Sequence, residues 1–521
     1  MRRVLLAVVL LLALPASAHA SFGVPSFTVT PSGTAAGSHP DVSIALGFSG
    51  TEHVRDLTVS LPPGLIGNPN ATPRCTTAKF QADGCGDNTR VGTTSVESTL
   101  LGLPVTANGN VYNLQAGAGE PARLGVIVRP PLADKVFLIS RVALRKSDGG
   151  LDSIIDGIPS TVRVLGIEQE MSIQSMNLTL LGRPAGAKQP FMTLPTSCGP
   201  ATARVAAKSA DGTGATRAAA PFTPTACAKL PFKPQFAATI SSGHLPSLST
   251  VITGADGDAN AASATVTLPK GIGVNLAAAS NTCSVAQQAA GPCPAASHVG
   301  RAIAQSPLLP TLSGPVSLAE ITGQPFPGIR VDLSGVVSLS LPGVVTFTPA
   351  LRTTFAGLPD VPLRRFALTF DAGGALSTTR DVCTGKLPRM TADLTGHNGA
   401  RAHLDTPLTV TGCRKPVASL RVHGRKLVLR VRAARNGPAL KKVQLTLPKR
   451  LKAHPRRGRV SPGAKLSRRG VLTVRAHAAQ KIIATLRGGA FTGRLGKKRA
   501  FKLRTVDVTG HPERQRIKAR R

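Results

Sequence analysis

The sequence predicts an all-β protein: two homologous disulfide-bonded β-rich units followed by a small Ig-like β-sandwich. Three observations carry this. Apolar and polar residues alternate over short runs, as at Leu57, Val59 and Leu61 or at Ile329, Val331 and Leu333. That period of two belongs to strands. Glycine (53) and proline (42) are abundant among 521 residues, as many short strands joined by turns require. One order of motifs also occurs twice.

The first copy runs from Thr58-Val-Ser-Leu-Pro-Pro-Gly64 through Cys75 and Cys85 to Arg90-Val-Gly92. The second runs from Thr265-Val-Thr-Leu-Pro-Lys-Gly271 through Cys283 and Cys293 to His298-Val-Gly300. Nine residues separate each close pair of cysteines, and a short helix-like piece is expected between them. The copies end alike, at Pro221-Phe-Thr-Pro-Thr-Ala-Cys227 and Pro407-Leu-Thr-Val-Thr-Gly-Cys413. Each unit therefore holds a close pair of cysteines, then a distant pair that includes Cys198 or Cys383, which marks an internal repeat.

Taken in order, residues 1–20 read as a signal peptide: Met1-Arg-Arg3, an apolar run from Val4 to Pro15, then Ala18-His-Ala20. The apolar run is too short for a membrane span of about 20 residues, so no transmembrane segment is expected after cleavage. Residues 21–228 form repeat 1, with strands expected around Leu57–Leu61, Val136–Ile139 and Met176–Leu180. Residues 229–415 form repeat 2, with strands around Ile329–Leu333, Val337–Leu341 and Phe366–Phe370. Residues 416–521 form the basic third unit, with six or so strands, among them Leu427–Val431, Val443–Leu447, Val471–Val474, Lys481–Leu486 and Phe501–Val508. From His511 onward the polar tail is expected to fray.

An even count of eight cysteines suits an oxidising compartment and an exported, extracellular or envelope-associated protein. The simplest pairing closes each repeat on itself, as Cys75–Cys85, Cys198–Cys227, Cys283–Cys293 and Cys383–Cys413. Other pairings are open to eight cysteines, and zinc is a competing use, although nine intervening residues do not match zinc-ligand spacing.

The motifs, with the approach Pro190-Phe-Met-Thr-Leu-Pro-Thr-Ser-Cys198, resemble a family of exported two-repeat cysteine-containing proteins of high-GC actinobacteria. The second repeat departs from the pattern at Thr379-Arg-Asp-Val-Cys383, where Pro-Thr-Ser is missing. The resemblance implies export and a repeated architecture and supplies no active site.

Enzyme signatures such as G-x-S-x-G, H-E-x-x-H and the P-loop are missing. Only 23 acids and 7 histidines precede Arg414, one of them His19 in the leader. A non-enzymatic protein is expected, without cofactor, metal or catalytic residues; a hydrolase with an unrecognised site is the distant alternative. Asp256-Gly-Asp-Ala-Asn260 starts like a calcium loop but lacks the later glycine and glutamate ligands, and reads as a turn. His39 and His244 stand at similar places in the repeats and read as structural. An aromatic sugar platform is not available with no Trp and one Tyr.

The net charge of +38 is concentrated at one end. From Arg414 to Arg521 there are 33 Lys and Arg against two acids, Asp507 and Glu513. Such a surface attracts polyanions by counterion release. Arg425, Lys426, Arg456, Arg457, Arg459, Lys497, Lys498 and Arg499 are the candidate polyanion-binding residues. An anionic cell-wall polymer or another extracellular polyanion is the expected partner. The expected role is an envelope-associated or surface structural protein, with a secreted polyanion-binding module as the alternative.

Overall fold

The computed structural model describes residues 22–520 apart from 349, 380–381, 384–387, 414, 435–436, 494–499, 509 and 511. The signal-peptide expectation for residues 1–20 lies outside the described residues, as do Lys497, Lys498 and Arg499.

The chain is almost wholly β, as its alternation predicts. In the first repeat the main strands are β1 (Gly23–Pro31), β2 (Val42–Ser49), β3 (Val54–Ser60), β4 (Arg90–Leu100), β5 (Leu103–Leu114), β6 (Ala122–Arg129), β7 (Val136–Leu144), β8 (Leu151–Ile155), β9 (Ile167–Leu180), β10 (Arg204–Ser209) and β11 (Gly214–Ala218). They pair in the order β1-β2-β9-β4-β5-β6-β7-β8-β3-β10-β11. In the second repeat they are β12 (Gln235–Ser241), β13 (Leu248–Thr253), β14 (Ala261–Thr267), β15 (His298–Gln305), β16 (Leu312–Ala319), β17 (Gly328–Leu333), β18 (Leu339–Thr346), β19 (Arg352–Phe355), β20 (Arg365–Phe370), β21 (Arg389–Gly396) and β22 (Arg401–Pro407). Their order is β12-β13-β20-β15-β16-β17-β18-β19-β14-β21-β22. Raising every number of the first order by eleven gives the second, so the two units share one topology. Each sheet counts twelve strands. The twelfth is Thr161–Val164 against β9 in the first repeat and Thr409–Thr411 against β12 in the second.

The repeated motifs hold these sheets in shape. In Leu-Pro-x-Gly the glycines take left-handed backbone, with φ of 83° at Gly64 and 91° at Gly271, which turns the chain off β3 and β14. The Val-Gly exits are bulges at the start of β4 and β15. A Cβ at Gly92 or Gly300 would run into the carbonyl of Thr179 or Thr369 on the next strand. The terminal Pro-x-Thr-x-Thr-x-Cys segments close the barrels. In the second repeat Thr409–Thr411, just after β22, pairs in parallel with Thr239–Ser241 of β12. In the first, Thr225 donates to the Thr34 carbonyl and accepts from Ala36. Each unit is thus a sheet curled round on itself.

Four disulfides join Cys75–Cys85, Cys198–Cys227, Cys283–Cys293 and Cys383–Cys413, and no cysteine is free among the described residues. They mark a protein made for an oxidising compartment. The two short loops each carry a helix, α1 (Thr77–Gln81) and α2 (Val285–Ala290), capped by Thr76 and Ser284. No helix among the described residues is long and apolar enough to cross a membrane.

The third unit holds β23 (Val417–His423), β24 (Lys426–Arg432), β25 (Leu440–Thr446), β26 (Val471–Ala479), β27 (Lys481–Arg487), β28 (Ala500–Asp507) and β29 (Pro512–Arg520), with four shorter pieces. That is eleven strands among the described residues instead of six or so; the additional ones are mostly two or three residues long, below the reach of periodicity. Nine strands form one sheet around a core that includes Leu427, Leu429, Val443, Leu472 and Phe501. The fraying expected of the tail does not hold for its described residues. Pro512–Arg520 is a strand, hydrogen-bonded antiparallel to β28 and parallel to β23. Ile517 is buried within it, while the basic residues alternate outward, so one apolar side chain and two ladders fix a segment whose composition reads as solvated.

Candidate functional site

Two features stand out, one apolar and one basic. The apolar one is a cavity of about 300 Å³ reached by side chains of both repeats. From the first come Ile44, Leu124, Val142 and Leu178; from the second come Leu312, Leu341, Phe355 and Phe366. Barrel diameter grows with strand number, and about eight strands already leave an interior that side chains only just fill. Twelve-stranded sheets lined by Leu, Val and Ala, in a chain with no Trp, leave space. Leu124, Val142, Leu144, Leu151, Leu178 and Leu341 accordingly stay half-buried although they point into the void.

Polar contacts hold the repeats together beside this cavity. Thr196 of the first repeat donates its N–H (2.8 Å) and its hydroxyl (2.5 Å) to the Asp360 carboxylate of the second. Asn260 Nδ2 donates to the same carboxylate at 2.8 Å. Asn70 Nδ2 donates to the carbonyls of Pro307 and Leu308 at 3.1 and 2.9 Å. One polar group in the lining is unsatisfied. Asn113 Nδ2 donates to the carbonyls of Pro69 and Thr72 and to the Thr72 hydroxyl, but its buried Oδ1 accepts from none of the described residues.

The second feature is the outward face of the third unit. Across β28 and β29, Lys502 stands opposite Arg516 and Arg504 opposite Arg514. Arg520 stands opposite Arg421 on β23. All six are exposed, because their inward neighbours Phe501, Leu503 and Ile517 fill the core. Like charges directly opposite on a sheet are destabilising. The acids present, Asp507 and Glu513, already have partners, Glu513 with Lys415 at 3.8 Å.

The described residues among those singled out in the sequence lie apart from this ladder. Arg425 and Lys426 are at the β23–β24 hairpin tip, and Arg456, Arg457 and Arg459 lie on an exposed turn and the short strand after it. Arg459 faces Arg487 across a strand pair. Leu427 pairs with Leu486, so Lys426 and Arg487, the next residue on each strand, lie side by side. The ladder of Lys502, Arg504, Arg514, Arg516 and Arg520 was not singled out. Its signal was in the sequence: Lys and Arg at alternate positions in Ala500–Arg504 and Glu513–Arg520, a strand period carried by charge.

The other sequence candidates resolve as local structure. Asp256 takes a two-point pair from Arg364, at 2.9 and 2.8 Å, and Asp258 accepts from the Lys233 backbone at 2.9 Å. The Arg364 hydrogen bond holds the Asp256 carboxyl below its ordinary value. Among the described residues no three His, Cys, Asp or Glu side chains gather as metal ligands. His39 meets the Met192 carbonyl at 3.1 Å and His244 the Thr378 carbonyl at 2.8 Å, on matching short strands.

No known family matches the chain, and no curated protein matches it. Solved structures that align along its length do so loosely. One is the manganese lipoxygenase of Gaeumannomyces graminis solved with part of zonadhesin of Komagataella pastoris, at 12% identity and a TM-score of 0.17, over 74% of this chain and 93% of that one. Another is a putative membrane anchored protein from Corynebacterium diphtheriae, at 9% and 0.15, over 95% and 89%. A third is the 47-kilodalton lipoprotein Tp47 of Treponema pallidum, at 8% and 0.16, over 89% and 100%. Likenesses this slight carry no argument about fold or activity.

Proposed function

We propose that this is an exported, non-enzymatic protein of the cell envelope, held on an anionic wall polymer by its third unit. The observation that carries the reading is the ladder of Lys502–Arg516 and Arg504–Arg514 pairs, continued by Arg421 and Arg520. Side by side on a rigid sheet, these charges oppose one another unless an external anion lies across them. The alternation of the strands keeps every one of them outward, so a linear polyanion can run along the face and release counterions as it binds. The hairpin-tip group of Lys426, Arg459 and Arg487 gives such a polymer a second contact.

The test is sedimentation of the full-length protein with purified cell walls, anionic vesicles or duplex DNA. The partner is a wall polymer if retention is strongest on walls and is lost when Lys502, Arg504, Arg514 and Arg516 are changed together to Gln. Equal retention of that variant on walls rejects the reading.

A further inference from the structure

We propose that the cavity shared by the two repeats is a binding site for a single long hydrocarbon chain that carries a hydroxyl or amide N–H at one end. A volume of about 300 Å³ is the lower end of the range for ligand pockets. Here that volume touches walls of both barrels, from Val142 and Leu124 in the first to Leu341 and Phe366 in the second. A modest volume whose lining runs from one repeat to the other suits an extended chain that reaches both. Its walls are apolar, mostly aliphatic with Phe191, Phe355, Phe366 and Phe370 among them, and walls of this kind take apolar guests.

The end group follows from Asn113. Asn113 is the cross-strand partner of Leu124, so the two share a face of the sheet, and both line the cavity. Asn113 is 1% exposed, its amide nitrogen is fully engaged, and its Oδ1 has no donor among the described residues. A buried acceptor without a donor costs free energy that a ligand hydroxyl or N–H would recover. The site therefore selects a donor at that end and hydrocarbon along the rest. This inference is independent of the third unit, which contributes nothing to the cavity lining.

The experiment uses the full-length oxidised protein and parinaryl alcohol, a straight-chain conjugated tetraene with a terminal hydroxyl, as fluorescent probe. Dodecanol and its methyl ether, which accepts but cannot donate a hydrogen bond, compete for the site. The expected result is saturable probe uptake, weakened at least tenfold by Leu124→Trp and by Leu341→Trp, which take up space at the lining of each repeat. Dodecanol should displace the probe at a concentration about fivefold lower than the ether, and Asn113→Leu should remove that gap. Thermal melting checks that the Trp variants remain folded; if Asn113→Leu does not fold, the alcohol–ether comparison on the unaltered protein decides the end group. No saturable uptake, or unchanged uptake in both folded Trp variants, overturns the site. Equal displacement by alcohol and ether overturns the role of Asn113.

Discussion

Asp360 of the second repeat accepts both the backbone N–H and the hydroxyl of Thr196 in the first, in a site where Asp360 is only 4% exposed. A buried carboxylate is costly unless its oxygens are hydrogen-bonded, and here the bonds that satisfy it come from both sides of the interface. Asp360→Ala should lower stability by about 2–4 kcal/mol, since hydrogen bonds to charged groups each contribute about 1.5–3 kcal/mol. Asp360→Asn, which keeps one acceptor oxygen, should lose less. Urea midpoints of the two variants check this; equal and negligible losses would show that the contact does not join the repeats.

The cysteine loops exchange one packing solution for another. Phe80 of α1 is fully buried, edge-on to Phe137 and over Gly125, where a Cβ would collide with its ring. In the second repeat the matching residues are Gln288 and Arg330, which meet at 3.4 Å. Gly125→Val should therefore destabilise by about 1–3 kcal/mol through overpacking. Truncating Phe80 to Ala in the same chain should relieve part of that loss, giving non-additive melting shifts; strictly additive shifts would contradict the contact.

The four bridges close loops of two sizes, with separations of 10 and of 29 or 30 residues. Chain entropy assigns about 2.7 kcal/mol to the short loops and about 3.6 kcal/mol to the long ones. Replacing Cys198 and Cys227 by Ser should cost about 1 kcal/mol more than replacing Cys75 and Cys85. Denaturation of the two variants under oxidising conditions measures the difference, and the reverse order would contradict it.

His39 supplies a pH dependence. Burial holds its pKa below the ordinary histidine value, against a smaller opposite effect from the Met192 carbonyl; Arg183 lowers it further. The folded pKa is depressed, so the unfolded chain binds the proton more readily. Stability from this residue is complete above about pH 6.5, the unfolded value, and is lost as pH falls through the lower folded value. His39→Gln should flatten that part of the stability profile, and NMR titration should find the His39 ring neutral at pH values where exposed histidines are charged.

Much of the architecture was legible because the motifs are devices of the fold. The Leu-Pro-x-Gly glycines need left-handed backbone, Gly92 and Gly300 need close approach, and the terminal Thr-x-Thr runs close the barrels. The strand at Pro512–Arg520 was hidden because its order comes from its neighbours, with Ile517 as its one deeply buried apolar residue. The cavity was hidden for a different reason. Alternation shows which side chains point inward, but whether inward side chains meet depends on how many strands surround them. The one sequence trace was the lack of bulk, with no Trp to fill two wide barrels. The basic ladder has no adjacent bases such as Arg456-Arg457 to mark it, because on a strand it is alternate bases that share a face.

The most direct test of the envelope reading is the salt dependence of polyanion binding by the full-length protein. For duplex DNA as a defined reference polymer, log K falls with log salt by about 0.9 per phosphate neutralised. Changing Lys502, Arg504, Arg514 and Arg516 to Gln should weaken binding and reduce the steepness of that slope by about 3–4. The same variant should elute from purified cell walls at distinctly lower salt. An unchanged slope and an unchanged elution point would contradict the account and leave the basic face without a partner.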